Sequence, residues 1–376
     1  MKKRIKMVFV TQNTAPFRMQ WLDELSRFID ITVYHLSDYD STVNSKYLSY
    51  VPQNIKINEN YRKIGNRKFF KIKNILAEKA DILVLDGYGF LGQMVLIAYL
   101  RLHRIPFYMS ADGGLIPKNE SKTKLFVKKF CINGAKGFFS TSEMTDKFIE
   151  HYLKKPTPIF RHYFSSVYTK DISKLSKEQK LEYKKKLGLE NKFVIIAVGR
   201  FIPVKGFDIL LKAAQKADED TCFVFVGGKP TEEYNNLIEG INPQSVKFVD
   251  FLSKEELKEY YCAADVFAIP SRSDVWGLVV GEAMSYGLPV LGSNNCMAAV
   301  AMVKDYENGF IVIDENPDSY LSKIEELKND PMLLEKISYN NYSLVEKYAI
   351  DVSVNNDIKN IESILNIKIT EDNFDG

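Results

Sequence analysis

Cysteine is scarce, with four in 376 residues. Cys131, Cys222, Cys262 and Cys296 form no C-x2-C spacing and have no histidine partner nearby. A disulfide framework is thereby excluded and no zinc site is signalled; the four are read as structural thiols. Histidine is equally rare: His35, His103, His151 and His162 are the full set, and no pair has metal-ligand spacing. Long apolar runs are missing too. The longest candidates, Met94 to Leu100 and the broken stretch from Asp81 to Phe90, fall short of the ~18 to 20 residues that span a bilayer. The basic start leads into an apolar run that stops at Thr11, too short for a signal peptide. It is read as a first buried strand, with the cytoplasm as the expected compartment. Low-complexity tracts and repeats of solenoid period are also absent.

What is present is an ordinary folded composition, 45% hydrophobic and 26% charged, in a chain long enough for two domains. The net charge of +3 conceals a segregation. Residues 1–168 hold 27 Lys and Arg against 14 Asp and Glu, whereas the remainder holds 24 against 34. An N-terminal half so basic is expected to meet something anionic: a membrane surface, nucleic acid or a phosphorylated acceptor. Two oppositely charged faces attracting across a cleft is the other reading.

Short β-rich runs alternate with segments of helical period, the pattern of parallel α/β architecture. Strands are expected at 5–10, 31–36, 82–86, 107–110 and 137–140, then at 193–198, 222–226, 246–249, 266–269, 289–291 and 310–313. A helix over 18–28 would bury Trp21, Leu22, Leu25 and Phe28. The series restarts after 190, and the polar, lysine-rich stretch Lys170 to Leu187 reads as the boundary between domains. The expected division is 1–168, joined by a C-terminal helix within 350–376, and 169–349. The last helix would bury Val354, Ile358, Ile361 and Leu365, and 370–376 would fray. Two doubly wound domains would face each other across a cleft, with ligands outside the carboxyl ends of strands.

Two constellations follow strands. Gly199-Arg200-Phe201-Ile202-Pro203-Val204-Lys205-Gly206 sets two long cations five residues apart before a helix opening near Gly206. Cations beside a helix N-terminus make an anion site, with diphosphate as the natural occupant. The second is Ser271-Arg272-Ser273-Asp274-Val275-Trp276-Gly277-Leu278-Val279-Val280-Gly281-Glu282. Asp274 would lie in the turn before a helix opening near Gly277, either as its cap or facing a polyol. Glu282 would lie more than one turn inside, accepting hydroxyls or paired with a lysine in the core. The N–H groups of Gly277, Leu278 and Val279 would face phosphate oxygens, and Trp276 is a further substrate-binding candidate.

Taken together, GRFIPVKGFDILLKA, FLSKEELKEYYCAADVFAIPSRSD and WGLVVGEAMSYGLPV resemble the C-terminal domain of retaining GT-B glycosyltransferases of glycosyltransferase family 4. The likeness covers most of 193–313. APFRMQWLDEL, SADGGLIPK and RHYFSSV resemble bacterial members that build capsule, exopolysaccharide or O-antigen units. The resemblance implies that Arg200 and Lys205 hold the donor diphosphate and Glu282 the ribose. Asp274 stands where the family usually has a glutamate, one methylene longer, with seven residues between it and Glu282. Asp112-Gly113-Gly114 stands where a histidine is common, so Asp112 would orient the acceptor or form a plain turn. Thr11-Gln12-Asn13-Thr14-Ala15-Pro16 lacks the family's glycines, leaving Thr14 as its substrate-binding candidate. His162, beside Arg161, is the one histidine expected near the cleft.

The resulting expectation is a metal-free, retaining transfer from a nucleotide sugar, UDP-linked by preference, to a saccharide acceptor in lipid-linked form, at the inner membrane face. No cofactor and no nucleic-acid partner are implied. A sugar-nucleotide epimerase of the same fold and a catalytically silent nucleotide-sugar-binding partner are the alternatives. Membrane docking would use Arg62, Lys63, Arg67, Lys68, Phe69, Phe70, Lys71, Ile72 and Lys73, and a second run of Lys118, Lys122, Lys124, Lys128 and Lys129 with Leu125, Phe126 and Phe130.

Overall fold

The computed structural model describes residues 4–36, 50–114, 116–117, 119–313 and 315–369. It divides into two α/β units, Met1–Phe164 with Ile350–Gly376, and Ser165–Ala349.

The first unit is built on a seven-stranded sheet in the order Lys56–Glu59, Asp30–His35, Lys6–Thr11, Ile82–Asp86, Tyr108–Ala111, Phe138–Ser140 and Ile159–Arg161. Every pairing is parallel. Parallel strands covered on both faces read as unbroken apolar runs, which is why the central five are evident in sequence. Val8, Val10, Leu85, Met109 and Phe138 pack with Leu96, Ile97 and Leu100 of the helix Leu91–Leu102. Two edge strands escape that pattern: Lys56–Glu59 is exposed throughout and Ile159–Arg161 has three residues. An antiparallel hairpin, Tyr61–Ile64 with Arg67–Phe70, turns at Gly65, whose φ of +57° suits glycine. The helix expected over 18–28 runs Pro16–Leu25.

The helix Ile350–Leu365 completes this unit. Its Asp357, fully buried, accepts hydrogen bonds from Trp21 Nε1 at 2.8 Å and pairs with His162 Nδ1 at 2.9 Å. Asn360 Nδ2 donates to the Arg161 carbonyl at 2.9 Å. The expected fraying of 370–376 lies outside the described residues.

The second unit has six parallel strands in the order Val246–Val249, Thr221–Val226, Phe193–Val198, Val266–Ile269, Val290–Ser293 and Gly309–Val312. In chain order this is 3-2-1-4-5-6, the dinucleotide-fold arrangement, with its switch point between the first and fourth strands. Among the described residues no helix is long and apolar enough to cross a membrane.

The division falls after Phe164 rather than after 168. Ser166 is tied into the second unit, its Oγ donating to Glu282 at 2.7 Å and its carbonyl accepting from Lys254 at 3.3 Å. The lysine-rich stretch read as a boundary also belongs there, as the helix Lys177–Lys186. Lys180 and Lys184 reach the buried Asp265 carboxylate at 2.8 and 2.6 Å, and the Val194 N–H donates to it at 2.8 Å. Burial opposes ionisation of Asp265, but the two ammonium groups prevail and hold its carboxyl below the usual 3.8.

Replacing Asp265 leaves two cations against an apolar wall. Asp265→Asn is expected to cost about 3 to 5 kcal/mol in urea unfolding at pH 7, the scale for breaking a buried pair. A depressed folded-state pKa gives stability that is present above the unfolded value and lost in acid. The difference between the two proteins should therefore shrink as pH falls below 3.8.

Candidate functional site

In the second unit the pairing of Ile195 with Val266 and Ile196 with Phe267 brings the ends of strands one and four to one edge. The loop 199–206 leaves the first and 270–278 leaves the other. Gly206 adopts φ +69°, and a Cβ there would stand 2.2 Å from the Pro270 carbonyl oxygen. Only glycine allows this approach. Phe201 is buried against Phe207 and Phe225, at ring separations of 5.0 and 6.0 Å. Arg200 and Lys205 therefore extend from an anchored loop, Arg200 exposed and Lys205 half-buried.

Lys205 Nζ donates to Asp274 Oδ2 at 2.6 Å. The second loop is braced by Arg272, which holds both Asp208 oxygens at 2.8 and 2.9 Å, Glu315 at 2.6 Å and the Pro203 carbonyl at 2.7 Å. Burial works against Asp208, yet these bonds keep its carboxyl below the ordinary value. The Asp274 N–H donates to the Asn295 carbonyl at 3.0 Å, and the Trp276 carbonyl accepts from Ala298 N at 2.7 Å. Gly277, at φ +94°, fits where a Cβ would meet Cys296 Sγ at 2.7 Å. Cys296 is fully buried, which pushes its thiol up to about 12.

Several expectations change here. The helix opens at Val279 and has seven residues, so Glu282 lies in its first turn rather than deeper. Leu278, not Asp274, stands at its N-cap, and Asp274 pairs instead with Lys205. Glu282 has no lysine partner among the described residues; it accepts from Ser166 Oγ at 2.7 Å and from Tyr261 OH at 3.3 Å. Burial, then the Glu282 charge, push the Tyr261 hydroxyl well above its usual value. Trp276 is buried, with 4% exposure, so its ring serves packing rather than a ligand. Gly199, Leu278 and Val279 are half-buried.

In the first unit Thr14 is half-buried in the loop after the first strand. Asp112 follows the strand Tyr108–Ala111 and pairs with Arg18 Nη2 at 2.5 Å, which is more than a plain turn requires. His162 is corrected: with 2% exposure, held by Asp357 and with its ring 4.5 Å from Trp21 in a tilted contact, it is a core residue. Arg18 and Asp86 were not singled out in the sequence. Arg18 Nη1 meets Asp86 Oδ2 at 2.9 Å, and Thr11 Oγ1 donates to the same oxygen at 2.8 Å. Burial pushes Asp86 up to about 6, against Arg18 and Thr11 and with help from Asp112. The available signal was an acid closing the apolar strand ILVLD.

The basic patches separate into core and surface. Phe70 is core, and Phe69 and Ile72 are half-buried, whereas Arg62, Lys63, Arg67, Lys71 and Lys73 are exposed. On the helix Lys122–Ile132, Phe126 is 71% exposed beside exposed Lys122 and Lys124. Leu125 and Phe130 pack partly on the core, and Lys128 pairs with Glu120 at 2.6 Å. Lys118 lies outside the described residues.

Residues 179–344 match the family model described as glycosyl transferases group 1. An uncharacterized glycosyltransferase of Haemophilus influenzae is 32% identical over 189 residues, 49% of this chain and 53% of that protein. This chain thus spans about half that relative's length. An uncharacterized glycosyltransferase of Methanocaldococcus jannaschii is 24% identical over 321 residues, 84% of this chain and 86% of the relative. Among solved structures, HepE of Anabaena in complex with UDP superposes with a TM-score of 0.76 at 18% identity, covering 96% of this chain and all of that one. The fold is GT-B, with two Rossmann-like α/β units.

Proposed function

We propose that the chain is a glycosyltransferase that binds a nucleotide sugar on its second unit and moves the sugar to a saccharide acceptor with retention of configuration. The observation that carries this reading is the Lys205–Asp274 pair at 2.6 Å between the loops that follow the first and fourth strands of that unit's sheet, with Arg200 on the first loop and Glu282 in the helix after the second, all within the glycosyl transferases group 1 match. Lys205 and Arg200 would neutralise the leaving diphosphate, Asp274 would face the donor sugar's hydroxyls, and Glu282 would accept the ribose hydroxyls. In the structure Asp274 holds Lys205, so an arriving diphosphate competes for that ammonium and frees the Asp274 carboxylate for the sugar. The UDP complex of HepE supports uridine as the base. With two protein cations at the diphosphate, the transfer is proposed to need neither metal nor cofactor. The departing phosphate would take the acceptor's proton on the face where the new bond forms.

The acceptor is proposed to be lipid-linked and part of a surface polysaccharide, met at the cytoplasmic face of the membrane. Exposed Phe126 among lysines, and Arg62, Arg67, Lys71 and Lys73 around the hairpin, support docking of the first unit on anionic lipid. Cations near such a leaflet contribute about 1 kcal/mol each.

Four measurements test these statements. Lys205→Ala and Arg200→Ala should each lower kcat by about 10² to 10³, the loss for one donor to developing charge, and Glu282→Gln should weaken UDP binding in calorimetry by about 1.5 to 3 kcal/mol. Unchanged turnover and affinity would remove the donor-site assignment. Proton NMR of the first product should show the donor's anomeric configuration, with transfer persisting in chelator; an inverted anomer defeats the retaining mechanism. Phosphatidylglycerol vesicles should sediment the protein, less so at high salt and less with Phe126→Ser, while equal binding to neutral vesicles would retire the membrane reading.

A further inference from the structure

We propose that Arg18 and Asp86 are positioning residues for the acceptor: they fix the Asp112 carboxylate at the carboxyl edge of the first unit's sheet, where its other oxygen takes the acceptor hydroxyl. The inference rests on the glycosyltransferase reading and adds the acceptor side to it.

Location is the first support. The first unit's sheet reverses between Lys6–Thr11 and Ile82–Asp86, and open α/β sheets bind ligands at that point. Thr11 and Asp86 end those two strands, and Asp112 follows the next one. Arg18, from the helix Pro16–Leu25, is 6% exposed and bridges the two acids. The Asp86 main chain is held as well, its carbonyl accepting from Gln93 Nε2 at 2.7 Å.

Charge and satisfaction are the second. Two carboxylates share one guanidinium, so the crevice carries excess negative charge inside a basic unit. It therefore disfavours phosphate and favours a neutral ligand that donates hydrogen bonds. Asp112 Oδ2 is taken by Arg18, while Asp112 Oδ1 is buried and has no partner among the described residues, so an arriving hydroxyl meets an oxygen already withdrawn from water and unsatisfied. The Asp112 side chain retains 21% exposure. A sugar hydroxyl is the donor that such a carboxylate can orient without itself becoming protonated.

Titration gives the clamp a signature. The groups facing Asp86 are Arg18, Asp112 and the Thr11 hydroxyl, and burial sets its carboxyl at about 6. Below that pH Asp86 takes a proton, Arg18 turns its whole charge on Asp112, and the Asp112 carboxylate becomes a weaker acceptor. Transfer should fall in acid.

The test is the pH profile of kcat/KM for the full chain between pH 5 and 8, with UDP affinity measured alongside. The wild type should lose about tenfold per pH unit below about 6, as one protonation requires. Asp86→Asn should give a lower but flat profile with unchanged UDP affinity. A variant that is slower at every pH with the acid limb intact would mark Asp86 as structural and overturn the proposal. Should Asp86→Asn fail to fold, Arg18→Gln decides: with no guanidinium to pass from one acid to the other, the acid limb must disappear while UDP affinity is unchanged, and a limb that persists overturns the proposal. A wild type that transfers with no acid limb refutes the clamp alone. One that binds no UDP and transfers nothing refutes both this and the donor-site reading.

Discussion

Parallel pairing around one central strand in each sheet is the constraint on which the rest depends. Phe193–Val198 lies between Thr221–Val226 and Val266–Ile269, and Lys6–Thr11 lies between Asp30–His35 and Ile82–Asp86. Because the chain leaves the central strand toward one side and later returns on the other, the loops after strands one and four diverge and leave a crevice. In the second unit that crevice holds Lys205 and Asp274; in the first it holds Arg18, Asp86 and Asp112. Neither set is contiguous in sequence. The register of the sheets brings them together.

That register is protected by close backbone contact rather than by side-chain bulk. Gly206 lies against the Pro270 carbonyl, and a Cβ at Gly227, which follows strand Thr221–Val226, would stand 2.5 Å from the Gly199 carbonyl oxygen. Both contacts tie the loop carrying Arg200 and Lys205 to its neighbours. Arg272 adds a polar brace between the same loops through Asp208 and the Pro203 carbonyl. A long cation on a loose loop loses much of its effect through side-chain and backbone entropy. Here glycine contacts and Arg272 hold the loops in place, and fixed donors are the condition for electrostatic stabilisation without reorganisation.

Local chemistry made much of this legible. Continuous apolar runs marked the buried strands, and the spacing of Lys205 and Asp274 marked two residues that the fold pairs at 2.6 Å. Short or polar elements gave no such signal: Lys56–Glu59 is exposed along its length, and the hairpin derives its order from a turn at Gly65 and from Phe70 packing inward. Long-range polar pairs were equally silent. Arg18 and Asp112 are 94 residues apart, and Trp21 and Asp357 are 336 apart. His162 shows the converse error: its position in the chain suggested a ligand contact, while its burial with Trp21 and Asp357 gives it a partner already. Composition misled in the stretch Lys170 to Leu187 as well, because lysines that read as a solvated linker neutralise the buried Asp265.

The two crevices then differ in a way that charge totals would not suggest. The more acidic half of the chain offers cations at its switch point, and the more basic half offers carboxylates. Surface charge sets long-range attraction, whereas the sign of a few desolvated groups sets what a crevice will hold. A diphosphate suits the first arrangement, since Lys205 can exchange one anion for another at little desolvation cost. A neutral hydroxyl suits the second, since adding an anion beside Asp86 and Asp112 would place three like charges around one guanidinium. What each crevice can hold thus follows from where each sheet puts its paired charges, and not from the charge total of the half that carries it.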